Sequence, residues 1–412
     1  MSASETIEPP IRFPEFTEPW ETKPIEGILK RHSTPVDVEA ETEYTQIGMR
    51  SHGKGIFHKN AVTGKSLGNK RVFWIHPDCL VMNIIFAWEQ AVGKTTEREA
   101  GLIASHRFPM YAPKDKQADI DFIVRFFLRP RGKHLLGLAS PGGAGRNRTL
   151  GQKAFDKLKV VVPTLLEQRK IADFLTAVDG RIGQLIQKKA LLEDYKKGVM
   201  QQLFTQAIRF KDDHGNDFPD WEEKKLGELF DITSSKRVFQ SEWQDEGVPF
   251  YRAREIIKLG ANGWVDNDLF ISDEMFDEYE AKYGAPQKDD LLVTGVGTIG
   301  KVYRVPEGSK FYFKDGNIVW LKASDKIDSS FIQQLFKSRI VQKQITEGAA
   351  ITTVATFTIV AAKNIKVPFP VRKEQTMIAD FLSAIDRKIE SVTTQITETQ
   401  TFKRGLLQQM FV

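Results

Sequence analysis

One cysteine, Cys79, is all that 412 residues contain. That excludes an intramolecular disulfide and any cysteine-based zinc site, and it suits a reducing cytosol. Histidine is scarce too, with seven residues and no ligand spacing among them. No apolar run reaches the roughly 20 residues needed to span a bilayer. The densest stretch, Val72 to Trp88, is broken by His76, Pro77, Asp78 and Asn83. The first ten residues have neither a basic start nor an apolar stretch, so the expectation is a cytoplasmic protein with no membrane partner. Neither sign of charge is in large excess. A formal charge of +5 and a pI near 8.9 allow a polyanionic partner without requiring one.

Motifs for chemistry are missing as well. Gly295-Val296-Gly297-Thr298-Ile299-Gly300 fits a dinucleotide pattern, but Lys301-Val302-Tyr303-Arg304-Val305-Pro306 follows as a strand where a helix must open on the phosphates. A glycine-rich hairpin is the expectation there. Gly64-Lys65-Ser66 resembles the end of a phosphate loop, yet Lys59 stands where its first glycine belongs. Pro219-Asp220 with Glu222-Glu223-Lys224 mimics a nuclease signature, but metal-dependent cleavage needs carboxylates converging from separated positions. Glu8-Pro9-Pro10-Ile11 lacks the leading amide and the aromatic that would stack a flipped base. No catalytic constellation and no metal site is expected.

What the chain does have is a repeat. Glu167-Gln168-Arg169-Lys170-Ile171-Ala172-Asp173-Phe174-Leu175 returns 207 residues later as Glu374-Gln375-Thr376-Met377-Ile378-Ala379-Asp380-Phe381-Leu382, and from Glu167 to Phe204 the two copies share 15 of 38 positions. Inside each copy the apolar period is that of a coiled coil: Ile171, Leu175, Val178, Ile182 and Leu185 in the first, Ile378, Leu382, Ile385, Ile389 and Val392 in the second. Thr164 and Glu167 suggest a capping box at the first helix start. Before each helix lies a block with a similar opening, Phe13-Pro14-Glu15-Phe16 and Phe218-Pro219-Asp220-Trp221. Lys159–Val162, Lys366–Phe369, Leu291–Thr294 and Ile318–Leu321 read as strands, and Phe122–Leu128 and Phe331–Ile345 as helices.

The predicted order is a tail (1–10), a block (11–163), a helix (164–210), a second block (211–370) and a second helix (371–412). The fold class is α+β. The first helix leads from block to block, so the second must run back along it to bury its stripe; the pair is expected antiparallel, on the order of 60 Å long, with a pseudo-twofold axis across it. Eleven of the 15 identities lie off the apolar seam. Helix pairing alone does not require these, so a duplicated partner-binding surface is predicted at Glu167, Gln168, Asp173, Gln201 and Gln202 and at Glu374, Gln375, Asp380, Gln408 and Gln409.

Basic residues cluster in both blocks. Phe122 to Phe155 has no acidic residue but holds Arg125, Arg129, Arg131, Lys133, Arg146 and Arg148. In the second block Lys236-Arg237, Tyr251-Arg252-Ala253-Arg254 and Lys301 mix cations with aromatics, a combination suited to DNA backbone and base edges.

This pattern of block, Pro-x-x-x-Glu-Gln-x-x-Ile-Ala-x-Phe-Leu helix, block and helix, with Gly-x-x-Gln-Gln-x-Phe closing both copies, resembles the specificity subunit of a Type I restriction-modification enzyme. The second block also resembles a target recognition domain of that family, through Phe218-Pro219-Asp220-Trp221, Gly247-Val248-Pro249-Phe250-Tyr251-Arg252-Ala253-Arg254-Glu255-Ile256 and Gly297-Thr298-Ile299-Gly300. The first block matches less, with only Tyr44 and Gly53 in register. The resemblance implies a non-catalytic subunit that binds double-stranded DNA, each recognition domain reading half of a bipartite site and the helices setting the gap. It also implies two modification subunits using S-adenosylmethionine, restriction subunits using ATP and Mg2+, and no cofactor on this chain. The alternative is an adaptor whose rod spaces two protein-binding modules without DNA affinity.

Overall fold

Two long helices, Leu165–Phe204 and Arg372–Gln409, run unbroken through the repeated segments of the computed structural model, which describes residues 8–142, 148–348 and 356–412. The chain forms two compact units, Met1–Ile186 with Gln395–Val412, and Gln187–Thr394. Each contains one block and a stretch of both helices.

In the first unit Ile171, Leu175 and Val178 are buried with Leu406, Met410 and Phe411, in a cluster continuous with the block's own core. In the second, Ile378, Leu382 and Ile385 are buried with Leu203 and Phe204. The beginning of each helix therefore packs on the end of the other, and the pair is antiparallel. Leu185 and Val392 are buried, while Ile182 and Ile389 are partly covered. Each fully buried side chain of the seam contributes about 1.5–3 kcal/mol before entropy is subtracted.

Lysines interrupt the apolar seam, and two of them, Lys196 and Lys403, are matched across it. Lys196 Nζ lies 2.6 Å from Asp386 Oδ1 and 3.0 Å from Gln334 Oε1. Lys403 Nζ lies 2.5 Å from Asp179, which also receives Arg125 at 3.0 Å. The 207-residue offset relates Asp179 to Asp386 and Lys196 to Lys403. Burial pushes the Lys196 ammonium down despite its partner. Burial also raises Asp386, but hydrogen bonds from Lys196 and Gln334 outweigh it and hold the carboxyl below its usual range.

The blocks share a topology that their sequences conceal. In the first, Glu21–Pro24 pairs antiparallel with Lys159–Val162, the strand just before the helix. An antiparallel sheet then runs in the order Leu29–His32, Met110–Pro113, Leu80–Met82, Val92–Lys94. In the second, Glu222–Lys225 pairs with Lys366–Phe369, and the corresponding sheet runs Asp231–Thr233, Ile318–Lys322, Leu291–Thr294, Val302–Arg304. Leu291–Thr294 and Val302–Arg304 form the hairpin expected at the glycine motif, turned by Gly297 and Gly300 at φ 69° and 74°.

Two local expectations need correction. Phe331–Ile345 is not one helix but two, Ser329–Phe336 and Arg339–Gly348, because the Ser338 hydroxyl accepts Val341 N–H and restarts the chain. The capping box forms only by half: Glu167 N–H reaches Thr164 Oγ1 at 3.4 Å, but the Glu167 carboxylate turns to other donors.

Candidate nucleic-acid interface

Those donors explain why the repeat begins with Glu-Gln. Glu167 is fully buried and accepts Arg12 Nε and Nη2, each at 2.8 Å, and the Trp20 indole N–H at 3.3 Å. Glu374 is equally buried and accepts Arg209 Nε at 3.2 Å, Nη2 at 2.9 Å and the Trp221 indole at 2.8 Å. Hydrogen bonding to these carboxylates raises both arginines. The neighbouring amides close each block. Gln168 accepts Asp119 N–H at 2.9 Å and donates to Pro163 O at 2.9 Å, and Gln375 accepts Asp328 N–H at 3.0 Å and donates to Pro370 O at 2.8 Å. Asp119 and Asp328 in turn cap the helices Ile120–Phe127 and Ser329–Phe336. A partner cannot reach Glu167, Gln168, Glu374 or Gln375, so their assignment to a partner surface is corrected: they fasten each block to its helix. Asp173, Asp380, Gln201, Gln202, Gln408 and Gln409 are exposed.

The basic residues also divide by surroundings. Arg125 donates to Asp179 at 3.0 Å and Thr176 at 2.9 Å, and Arg129 lies 4.9 Å over the Phe411 ring and donates to Val412 O. Burial, then the charge of Arg131, pushes Arg129 down. These two arginines are occupied within the first unit and are withdrawn from the DNA-facing set. Arg131 and Lys133 stand exposed on Pro130–Leu138, a helix with no acidic residue. Arg148 lies 5.5 Å over Trp88, and with Lys133 and His134 it borders an open recess of about 620 Å³. Among the described residues none of Arg131, Lys133 and Arg148 pairs with a carboxylate; Arg146 lies outside the described residues.

In the second block Val248–Tyr251 pairs with Phe270–Ile271 on one side and runs parallel to Tyr312–Phe313 on the other. Gly247 at its start sits at φ 122°, where a Cβ would meet Ile271 O at 2.4 Å, so only glycine fits. Tyr251 at the strand's end packs on Phe311, with ring centroids 4.9 Å apart. Arg252 and Arg254 converge on Glu255, which is buried, and on exposed Asp268. Burial pushes Glu255 up, but the two arginines outweigh it and hold the carboxyl below its usual range. Arg237 pairs with Asp315 at 3.0 Å, Lys236 lies 5.1 Å over Tyr283, and Lys301 is exposed beside the glycine hairpin. Lys314, 5.7 Å over Trp243, was not anticipated, although Phe311-Tyr312-Phe313-Lys314 carries the same aromatic-basic signal. Trp88 had no such signal; only the fold brings it to Arg148.

Two like units, each a sheet block closed by a buried Glu-Gln pair onto one of two antiparallel helices and carrying cations without a carboxylate partner, make the chain a tandem repeat of one domain type. The chain matches the Type I restriction modification DNA specificity domain twice, over residues 18–194 and 219–400, and it belongs to that family. It is 24% identical over 408 residues to the Type I restriction enzyme MjaVIII specificity subunit of Methanocaldococcus jannaschii, covering 95% of this chain and 91% of that one. A putative specificity subunit of Haemophilus influenzae is 32% identical over 176 residues, 42% of this chain and 41% of its own. The crystal structure of the HsdS subunit from Thermoanaerobacter tengcongensis shares the fold, with a TM-score of 0.54 at 16% identity over 95% of this chain and 96% of that one. The S subunit from M. genitalium gives 0.56 at 15% identity over 98% and 99%. The chain's general role is thus DNA recognition in a Type I restriction-modification system. Among the described residues no helix is long and apolar enough to cross a membrane, and no three His, Cys, Asp or Glu side chains gather as metal ligands.

Proposed function

We propose that each block reads one half of a bipartite, asymmetric DNA site, that the paired helices set the unread gap, and that two modification subunits dock on the helices. One observation supports this above others. The framework residues recur one for one, as Glu167 and Glu374, Gln168 and Gln375, Asp179 and Asp386, Lys196 and Lys403, whereas the exposed cations Arg131 and Lys133 give way to Ile340 and Gln342 at the offset that relates Phe122 to Phe331. Like frames with unlike faces suit two half-sites of different sequence. Arg131, Lys133 and Arg148 in one block, and Lys236, Lys301 and Lys314 in the other, are the phosphate contacts of this reading; Arg237, Arg252 and Arg254, oriented by carboxylates, act with Tyr251 as base readers. Half-site centres fall about one helical turn apart. Asp173, Asp380 and the Gln201-Gln202 and Gln408-Gln409 pairs face the modification subunits. This chain contributes no catalysis: S-adenosylmethionine, ATP and Mg2+ belong to the modification and restriction partners.

The test is a footprint of the assembled complex on DNA, repeated after block 211–370 is exchanged for that of a relative and, separately, after the helices are lengthened. The first change should alter one half-site only and the second only the gap. An uninterrupted footprint, or either edit changing both halves, would overturn the proposal, and salt-insensitive binding would favour the adaptor.

A further inference from the structure

The long helices end alike, in Met200-Gln201-Gln202-Leu203-Phe204 and Leu407-Gln408-Gln409-Met410-Phe411. Each terminal phenylalanine packs beside an equivalent phenylalanine of its block, Phe204 near Phe331 at 5.8 Å and Phe411 on Phe122 at 4.9 Å. What covers the rest of the ring differs. In the first unit Arg129 lies over Phe411, and Val412 O accepts its Nη1. The same offset that relates Phe122 to Phe331 relates Arg129 to Ser338, whose side chain is short and turned to Val341 N–H. The second unit is therefore open where the first is filled.

The opening is a recess of about 650 Å³. Met200, Phe204 and Ile340 give it an apolar floor, while Lys197, Arg339 and Lys343 stand at its rim. Among the described residues Lys197 and Arg339 meet no carboxylate, and Lys343 has only Glu347, one turn along its own helix at 3.7 Å. An aliphatic side chain entering the recess would take exposed apolar surface out of water. Carboxylates beside it would meet cations that have no better partner.

We propose that this recess is the docking site of an acidic segment of a partner protein that carries aliphatic side chains, and that the first unit has no counterpart. Unlike a surface repeated on both helices, it admits one copy of its partner per chain. It does not depend on the DNA-reading proposal.

The test uses the full chain labelled with 13C at the methionine methyls, titrated with a helical peptide of leucine and glutamate. The Met200 signal should shift and saturate at one peptide per chain. Ser338→Arg, which copies the first unit's plug, should weaken binding at least tenfold although it adds a positive charge. Charge reversal of the exposed rim, Lys197→Glu with Arg339→Glu, should abolish binding of the acidic peptide and allow one of leucine and lysine. An unmoved Met200 signal, binding that survives charge reversal, or tighter binding by a folded Ser338→Arg protein would each overturn the proposal.

Discussion

Replacing Glu374 by alanine tests whether the duplicated glutamates fasten the blocks or face a partner. The carboxylate is fully buried and accepts three hydrogen bonds, two from Arg209 and one from Trp221. Breaking a buried ion pair from one side costs about 3–5 kcal/mol, and an orphaned buried N–H about 1–3 kcal/mol. Arg209 keeps acceptors at Phe218 O and Pro219 O, and its side chain is 20% exposed, so the loss falls at the lower end, about 3 kcal/mol. Urea unfolding read by indole fluorescence should show the transition of the second unit moving to lower urea, because Trp221 reports on the site directly. Glu374→Gln, which keeps one acceptor oxygen, should lose less. Asp380→Ala, an exposed change nearly two turns further on, should stay within about 0.5 kcal/mol. If Glu374→Ala unfolds like the parent chain and instead loses capture of a modification subunit, the fastening role is refuted.

The ion pairs across the helices give a second expectation: Asp386→Asn leaves Lys196 with neutral acceptors only and should cost about 1–2 kcal/mol, whereas Lys196→Met with Asp386→Leu should be close to neutral, as measured by a double-mutant cycle. For DNA, Arg131→Ala, Lys133→Ala and Arg148→Ala should each lower the magnitude of the salt slope of binding by about one, while Arg125→Ala should lower stability and leave the slope alone. Glu255 provides the pH dependence. Its folded pKa lies below the unfolded value, so its contribution is complete above the ordinary carboxylate range and disappears as pH falls through the lowered folded pKa. Acid titration followed at the Glu255 carboxyl carbon by NMR should place its midpoint below that of a free glutamate; a midpoint at or above it would contradict the arginine pairing.

The helices were legible because their period is local and survives in one sequence: Ile171, Leu175, Ile378 and Leu382 announce themselves at fixed steps. Their direction followed from chain order. Among the off-seam identities Glu167, Gln168, Glu374 and Gln375 were visible but misassigned, since Glu167 meets Arg12 from 155 residues away and Glu374 meets Arg209 from 165. Pairing over such separations leaves no periodic trace. The same limit hid the common topology of the blocks, whose strands are mostly three to five residues long and are aligned by partners far along the chain. Basic composition singled out Arg125 and Arg129 alongside Arg131 and Lys133, but only the packing shows that the first two are engaged by Asp179 and Phe411.

Asp179 and Lys196 ride on one helix, and Asp386 and Lys403 on the other at the same spacing, each acid answering the lysine opposite. Either helix alone is consequently its own complement when a duplicate is laid head to tail beside it. A half-length product bearing one block and one helix would carry both members of each ion pair needed to dock against a twin, and would present two identical blocks in place of two different ones.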